Sequence, residues 1–442
     1  RVDSRAEEIL RVTPRTNEFI NEEWISDKVR FNYDGYYQQR IDIPYIKKNQ
    51  KLSSSSWEES LKILKNKLKS LKPLALVGEH VDLETGYAIN KFMSNFGKDN
   101  VECRTDNQAI LENLDSYRFN TPLNEIENSD LIILLGTNPK IETPIINHKI
   151  FKAYNNNSRI FNIGENIPLN YQTEYLGDKL SNLNNEKLIK ALKKSSNPLI
   201  IIGSAFLSKI KNIKTLKSIF SFADKYNVIT KDKNNLNFLN PYASRVGQLI
   251  LGNTTKNLCE PFSKLKKEKF EIVLSFGSEH IASEQFDNCF RVYFGHHGDE
   301  GAMKSDIILP TPLYTEKNGI FVNIEGRPQE AKKCHNPIGS AKEEWSIIKK
   351  LSDEFSFVFE PNTFEQLRSE LLKKYTKLSI FHEILSNDNA SPIITDIEFE
   401  DCKTQYPINN FYMSDIISKN SVTMVKCVEE IIPTPSLLEK SA

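Results

Sequence analysis

A chain of 442 residues with 39% apolar content has the mass for two or three globular units, each with its own core. Its 58 Lys and Arg balance 58 Asp and Glu, so no broad electrostatic field draws it to nucleic acid or to an anionic bilayer. The apolar runs are short blocks such as 131–135, against the roughly 18 consecutive residues that a membrane-spanning helix needs.

Residues 1 to about 50 lack a sheet pattern and read as an irregular segment. The opening Arg1-Val2-Asp3-Ser4-Arg5 has no Met and no signal-peptide pattern, so the expectation is a processed chain or a piece of something longer. Ser56-Trp57-Glu58-Glu59 has the Ser-x-x-Glu form that satisfies orphan amides at a helix start, and Trp57, Leu61, Leu64 and Leu68 follow at helical spacing as a core-facing stripe. Next come three short apolar runs closed by Gly: Lys72 to Gly78, Asp130 to Gly136 and Arg159 to Gly164. Three more follow, Asn197 to Gly203, Glu271 to Gly277 and Phe290 to Gly295. An unbroken run of this kind is a strand buried on both faces of a parallel sheet. Ser340-Ala341-Lys342-Glu343 repeats the capping form, with Trp345, Ile348 and Leu351 behind it.

Alternation of such strands with helical patterns predicts an α/β protein of two doubly wound, mostly parallel Rossmann-like units, 51–185 and 186–355. From about 356 the sequence turns polar, and 356–442 is expected to be a tail that docks on partners.

Chemistry is sparse. The loops after Gly78, Gly136, Gly203 and Gly277 stand where doubly wound folds bind ligands, but no G-x-G-x-x-G or P-loop supports such a use. No G-x-S-x-G, no H-E-x-x-H and no recognisable catalytic carboxylate pair occurs. Cys103, Cys259, Cys289, Cys334, Cys402 and Cys427 include no C-x-x-C pair, which argues against a zinc site or a cluster cradle and for free thiols in a reduced compartment. Gly295-His296-His297-Gly298-Asp299-Glu300-Gly301-Ala302 reads as a Gly-rich loop whose imidazoles bond backbone groups rather than a metal.

Five ordered blocks carry a resemblance: Asn17 to Phe31 (NEFINEEWISDKVRF), Asp130 to Pro139 (DLIILLGTNP), Gly295 to Pro310 (GHHGDEGAMKSDIILP), Tyr314 to Arg327 (YTEKNGIFVNIEGR) and Phe411 to Cys427 (FYMSDIISKNSVTMVKC). They resemble the C-terminal, molybdopterin-oxidoreductase-like part of the large iron–sulfur subunit family of mitochondrial NADH:ubiquinone oxidoreductase, complex I. The resemblance implies units of the formate dehydrogenase/DMSO reductase type and a place on the matrix side of the inner mitochondrial membrane. It implies partnership with other peripheral-arm subunits. The [2Fe-2S] and [4Fe-4S] clusters are expected upstream of Arg1, in an N-terminal half that is a separate polypeptide or a portion absent from this sequence.

Three departures from the redox-active relatives imply a scaffold with no catalytic, cofactor-binding or metal-binding residues of its own. Ser26 stands where the resemblance places a cluster-ligating Cys, and a hydroxyl is a poor substitute for a thiolate. Behind Asn100-Val101-Glu102-Cys103, the position of a metal-binding thiolate or selenolate offers none, leaving Asp106 as the one candidate metal ligand. Gly164-Glu165-Asn166 stands where the relatives pair phosphate with Arg. Gly298, Gly301, Gly319 and Gly326 are expected to supply positive φ or close approach where the units meet. The alternatives are a molybdenum or tungsten oxidoreductase using Asp106, and a stand-alone α/β protein binding a nucleotide in a vestigial crevice.

Overall fold

The computed structural model describes residues 1–97, 99–265, 270–386, 397–402, 404, 406, 408 and 410–431. Two parallel sheets carry the fold. The larger runs, in spatial order, Lys51–Ser54, Tyr45–Lys48, Ile307–Pro310, Phe290–Gly295, Ile272–Phe276, Pro73–Val77 and Val101–Glu102. Its first two strands form an antiparallel hairpin on the edge, and the rest are parallel. The smaller sheet is parallel throughout: Leu236–Phe238, Pro198–Ile202, Leu131–Leu135, Arg159–Ile163 and Glu174–Tyr175.

The α/β class and the doubly wound architecture stand, and the strand readings follow their physics. Leu131–Leu135 is buried at every position because helices cover both faces of a parallel sheet. Helix Trp57–Ser70 starts where the capping pattern put it, with the Ser56 hydroxyl accepting from the Glu59 amide at 3.1 Å and Leu61, Leu64 and Leu68 buried.

The division of the strands at 185/186 is corrected. Pro73–Val77 pairs with Ile272–Phe276, and Leu131–Leu135 pairs with Pro198–Ile202, so each sheet draws on both halves of the sequence. The chain leaves the larger sheet after its edge strand Val101–Glu102, builds the smaller one, and returns through helix Arg245–Ile250. A buried apolar run announces a central parallel strand but does not say which sheet receives it. Just past that edge strand lies a fully buried pair in which the Arg104 guanidinium grips Glu102 at 3.0 and 2.9 Å and donates to the Asn257 carbonyl at 2.9 Å.

Three further expectations change. The N-terminal segment is not wholly irregular: Val2–Arg5 and Glu8–Val12 form a hairpin closed by Ala6 and Glu7, both at positive φ, a turn that lacks the usual Asn-Gly signature. Ser340 does not cap helix Glu344–Phe355; its carbonyl accepts from the Trp57 indole at 2.9 Å and its hydroxyl donates to the Asp42 carbonyl at 3.1 Å. Among the four glycines, Gly326 has positive φ and Gly319 lies against Asp82, whereas Gly298 has ordinary room.

The polar tail is also more than a docking arm. Helix Phe364–Lys374 buries Leu367 and Leu371 in the core of the larger unit, because two apolar residues one turn apart suffice to pin a polar helix. Farther on, Ser421 and Thr423 bond Asp34, so the described end of the chain rests on the chain's own N-terminal segment. The stretches 387–396 and 432–442 of the expected tail lie outside the described residues.

Candidate functional site

The carboxyl ends of both sheets open onto one cavity of about 1150 Å³. Glu79 enters it one residue past the strand Pro73–Val77 and its closing Gly78, Glu279 two residues past Gly277, and Ser204 directly after Gly203. Strand ends converge here closely enough that a Cβ on Gly78 would stand 2.1 Å from the Gly277 carbonyl oxygen, so only glycine fits. Both ends of the chain add to the wall: Lys28, Asn32 and Tyr36 from the N-terminal segment, and Tyr406, Met413, Asp415 and Lys419 from the C-terminal one, with the Tyr406 hydroxyl donating to the Thr137 carbonyl at 3.1 Å.

In doubly wound folds this position presents backbone amides to phosphate. Here the protein's own carboxylates take it. Glu142 accepts from the Asn138 amide at 2.9 Å and from the Ser204 hydroxyl at 3.2 Å, beside the turn after Gly203. Burial pushes the Glu142 carboxyl up to about 7 despite these donors. Burial also pushes Glu79 up to about 8, with Asp415 and Glu279 adding to the rise and Lys419 and Arg245 opposing it. His80 and His280, both facing the cavity, are held below the usual imidazole range by burial.

Asp106, the candidate metal ligand, lines the cavity with its side chain 12% exposed. The Arg245 guanidinium holds it at 3.0 Å and donates to the Gln108 side-chain oxygen at 2.7 Å. A carboxylate neutralised by a buried guanidinium is a weak donor to a metal. Cys103 is buried, and burial pushes its thiol up to about 12, so it offers no thiolate. Ser26 caps helix Asp27–Phe31 by accepting from the Val29 amide. Glu165 is exposed at the rim of the smaller sheet. The donor set therefore does not fit a pterin dinucleotide: Glu142 takes the Ser204 amide and hydroxyl, Arg245 takes Asp106, and a C-terminal segment lines the same space.

The His pair is structural. His297 Nε2 bonds the Gly35 carbonyl at 2.9 Å, which makes that nitrogen the protonated one. Its Nδ1 must then accept, so His296 donates from Nδ1 in the bond between the two rings. Both imidazoles are held below their ordinary range, burial being the main cause. No group of three or more His, Cys, Asp or Glu capable of holding a metal occurs among the described residues. All six cysteines are free.

Sequence reading named the loops after Gly78, Gly136, Gly203 and Gly277 but not the acids that decide their character. The signal was there as Gly-Glu at 78–79 and Gly-Ser-Glu at 277–279. Arg245 and Glu142 carried none, since only folding brings them to Asp106 and Ser204.

Two parallel sheets meeting at a shared crevice are the architecture of molybdopterin oxidoreductases, and the chain belongs to that family: the family model described as molybdopterin oxidoreductase matches residues 40–354. Acetylene hydratase from Pelobacter acetylenicus has a similar fold, with a TM-score of 0.55, 11% identity and coverage of 87% of this chain and 72% of that one. The ends match two narrower models, the NADH-ubiquinone oxidoreductase NDSU1/NuoG-like 4Fe-4S domain over residues 1–34 and the C-terminal domain of the NADH-ubiquinone oxidoreductase G subunit over residues 385–427. The chain is 38% identical to the NADH-quinone oxidoreductase G subunit of Rickettsia bellii over 97% of its own length and 63% of that protein's. It is 35% identical to the NADH-ubiquinone oxidoreductase 75 kDa subunit of Reclinomonas americana, over 97% of this chain and 66% of that one. The chain thus spans about two thirds of the length of these relatives. Residues 1–34 contain no cysteine, so the segment matching the 4Fe-4S model offers no thiolate to a cluster.

Proposed function

We propose that the chain is a non-catalytic scaffold of the peripheral arm of respiratory complex I, on the matrix side of the inner mitochondrial membrane. Electrons would pass from NADH toward ubiquinone through [2Fe-2S] and [4Fe-4S] clusters carried by an upstream half or a separate iron–sulfur polypeptide, and this chain would brace them. No catalytic, cofactor-binding or metal-binding residue is assigned to it.

One observation carries the loss of chemistry: Glu79 and the Arg245-bound Asp106 line the crevice at the strand ends, and Glu142 behind them takes the Ser204 hydroxyl. The Ser204 amide and hydroxyl at the turn after Gly203 already donate to Glu142, so a pyrophosphate finds those donors taken. The partnership is supported by the N-terminal segment, where Phe19, Trp24, Val29 and Phe31 leave 44–66% of their surfaces exposed. Apolar side chains gathered on the segment that matches the iron–sulfur domain model make a docking face for the iron–sulfur half. Val422 and Ile431 on the last helix, 52% and 60% exposed, offer a second face for a neighbouring subunit.

Metal and subunit analysis of the assembled particle tests the reading. Mass spectrometry of purified complex I is expected to find this chain beside cysteine-rich iron–sulfur subunits, with iron and acid-labile sulfide but no molybdenum or tungsten. Stoichiometric molybdenum or tungsten following this chain would restore the enzymatic alternative.

A further inference from the structure

The C-terminal wall of the crevice is fastened to the smaller unit by charge. Residues 209–217 (KIKNIKTLK) hold four lysines and no acid, whereas residues 397–401 (IEFED) hold three acids and no base. The fold joins these two stretches, Lys214 meeting Glu398 at 2.8 Å across 184 positions. Beside that pair the Glu398 amide donates to the Ser218 hydroxyl at 3.1 Å. The Ser181 amide donates to the Asp401 carboxylate at 3.0 Å, and Lys179 stands 3.8 Å from the same acid. Glu400 and Asp401 share a cleft of about 280 Å³ with Lys209 and Lys211. Ser218 lies on helix Ile213–Lys225 and Ser181 on the short turn Leu180–Asn184, so the acidic stretch bridges two elements that pack on one face of the smaller sheet.

Apolar anchoring of this stretch is slight. Phe399 packs edge-on against Phe222 with ring centroids 5.9 Å apart, and Ile397 is half-buried. The Lys214 and Glu398 side chains are 50% and 71% exposed, those of Lys179 and Asp401 64% and 40%. Ion pairs so open to water are individually weak and are screened by salt. The earlier helix of the tail, Phe364–Lys374, is held instead by the fully buried Leu367 and Leu371, an anchor that salt does not screen.

Past the acidic stretch the chain forms part of the crevice wall. Tyr406, Ile408, Met413 and Lys419 line the crevice, and Lys209 lines both the crevice and the cleft beside Glu400 and Asp401. We propose that residues 397–401 are a releasable latch: opposite charge holds them on the smaller unit at low ionic strength, and their release frees the C-terminal wall and opens the crevice to solvent. Few buried apolar contacts together with exposed polar ones mark the low-stability end of a fold, where local opening precedes global unfolding. The latch belongs to this chain alone and does not rest on assembly into complex I.

Hydrogen exchange of the full chain, read by mass spectrometry at roughly 0.01 and 1 M salt, tests the latch, since the screening length falls from about 30 to about 3 Å over that range. Expected is a loss of protection of about tenfold in peptides covering 397–402 and the Ser181 amide, with helix Phe364–Lys374 unchanged as the internal reference. Ser208→Cys places a thiol on the crevice wall. Its reaction with a bulky uncharged maleimide, located by peptide mass spectrometry, is expected to accelerate about fivefold over the same salt range. Screening of the neighbouring Lys209 raises that thiol's pKa and slows it, so a faster reaction reports access. Glu398→Lys is expected to release the latch at low salt, and its combination with Lys214→Glu to restore protection, a rescue that depends on charge rather than on shape. Salt-independent exchange in the wild type, release without faster labelling of Ser208→Cys, or failure of the charge swap to restore what Glu398→Lys removes would each overturn the proposal. The wild-type salt series decides the matter even where a variant does not fold.

Discussion

Two regions of this molecule bury charge, and they differ in whether that charge is paired. The stretch from Thr311 to Arg327 threads between the helices of the larger unit, and its acids and bases are matched. Lys317 stands 2.8 Å from both Asp82 and Glu344, Glu316 pairs with Arg40 at 2.7 Å, and Glu325 accepts from the Leu123 amide at 3.0 Å. In the crevice Glu79 and Lys209 have no ion pair among the described residues, and Glu142 beside it leans on neutral donors. Low dielectric strengthens both kinds of interaction, so pairing alone separates a structural network from a site with capacity to spare.

The sharpest way to break the comparison is Lys317→Met. It strands Asp82 and Glu344, both nearly inaccessible, without their shared cation. A loss of about 3–5 kcal/mol in denaturant unfolding is expected. Loss of less than about 1 kcal/mol would mean that the network contributes little and that the contrast with the crevice is false.

A middle-sized effect comes from Glu142→Gln. The folded chain keeps a proton on Glu142 up to about 7, while the unfolded chain releases it near the ordinary 4.5. Between those values the folded state binds more protons, so wild type loses stability relative to the variant as pH rises, by at most about 1.4 kcal/mol per unit. Unfolding midpoints of the two proteins are expected to diverge from pH 5 to 7 and to run parallel above. Constant separation across the range would remove Glu142 from the unpaired class.

The smallest effect sharpens the capping distinction. Ser56→Ala removes the acceptor of the Glu59 amide and is expected to lower stability by about 1 kcal/mol. Ser340→Ala removes no helix cap; it loses the hydroxyl's bond to the Asp42 carbonyl and its share of the Trp57 indole N–H, which keeps the Ser340 carbonyl, and is expected to cost less in the same thermal melts.

Much of the fold was legible because its signals are local. Five consecutive apolar residues between a polar start and Gly determine a buried parallel strand wherever they lie, and Ser56 caps a helix through an amide three residues away. The lack of sulfur ligands in residues 1–34 is likewise a matter of composition. Partners distant in sequence were not legible: Arg245 meets Asp106 across 139 positions and Lys419 meets Glu279 across 140. The allocation of strands to sheets failed for the same reason, since Pro73–Val77 and Ile272–Phe276 are neighbours through a crossover that no periodicity records. Sequence by itself determined the elements, their burial and the poverty of redox ligands, because each follows from side chains and their immediate neighbours. Tertiary structure decided which sheet received each strand and which carboxylate in the crevice went unpaired, because long-range pairing is settled only when the two halves close on one another.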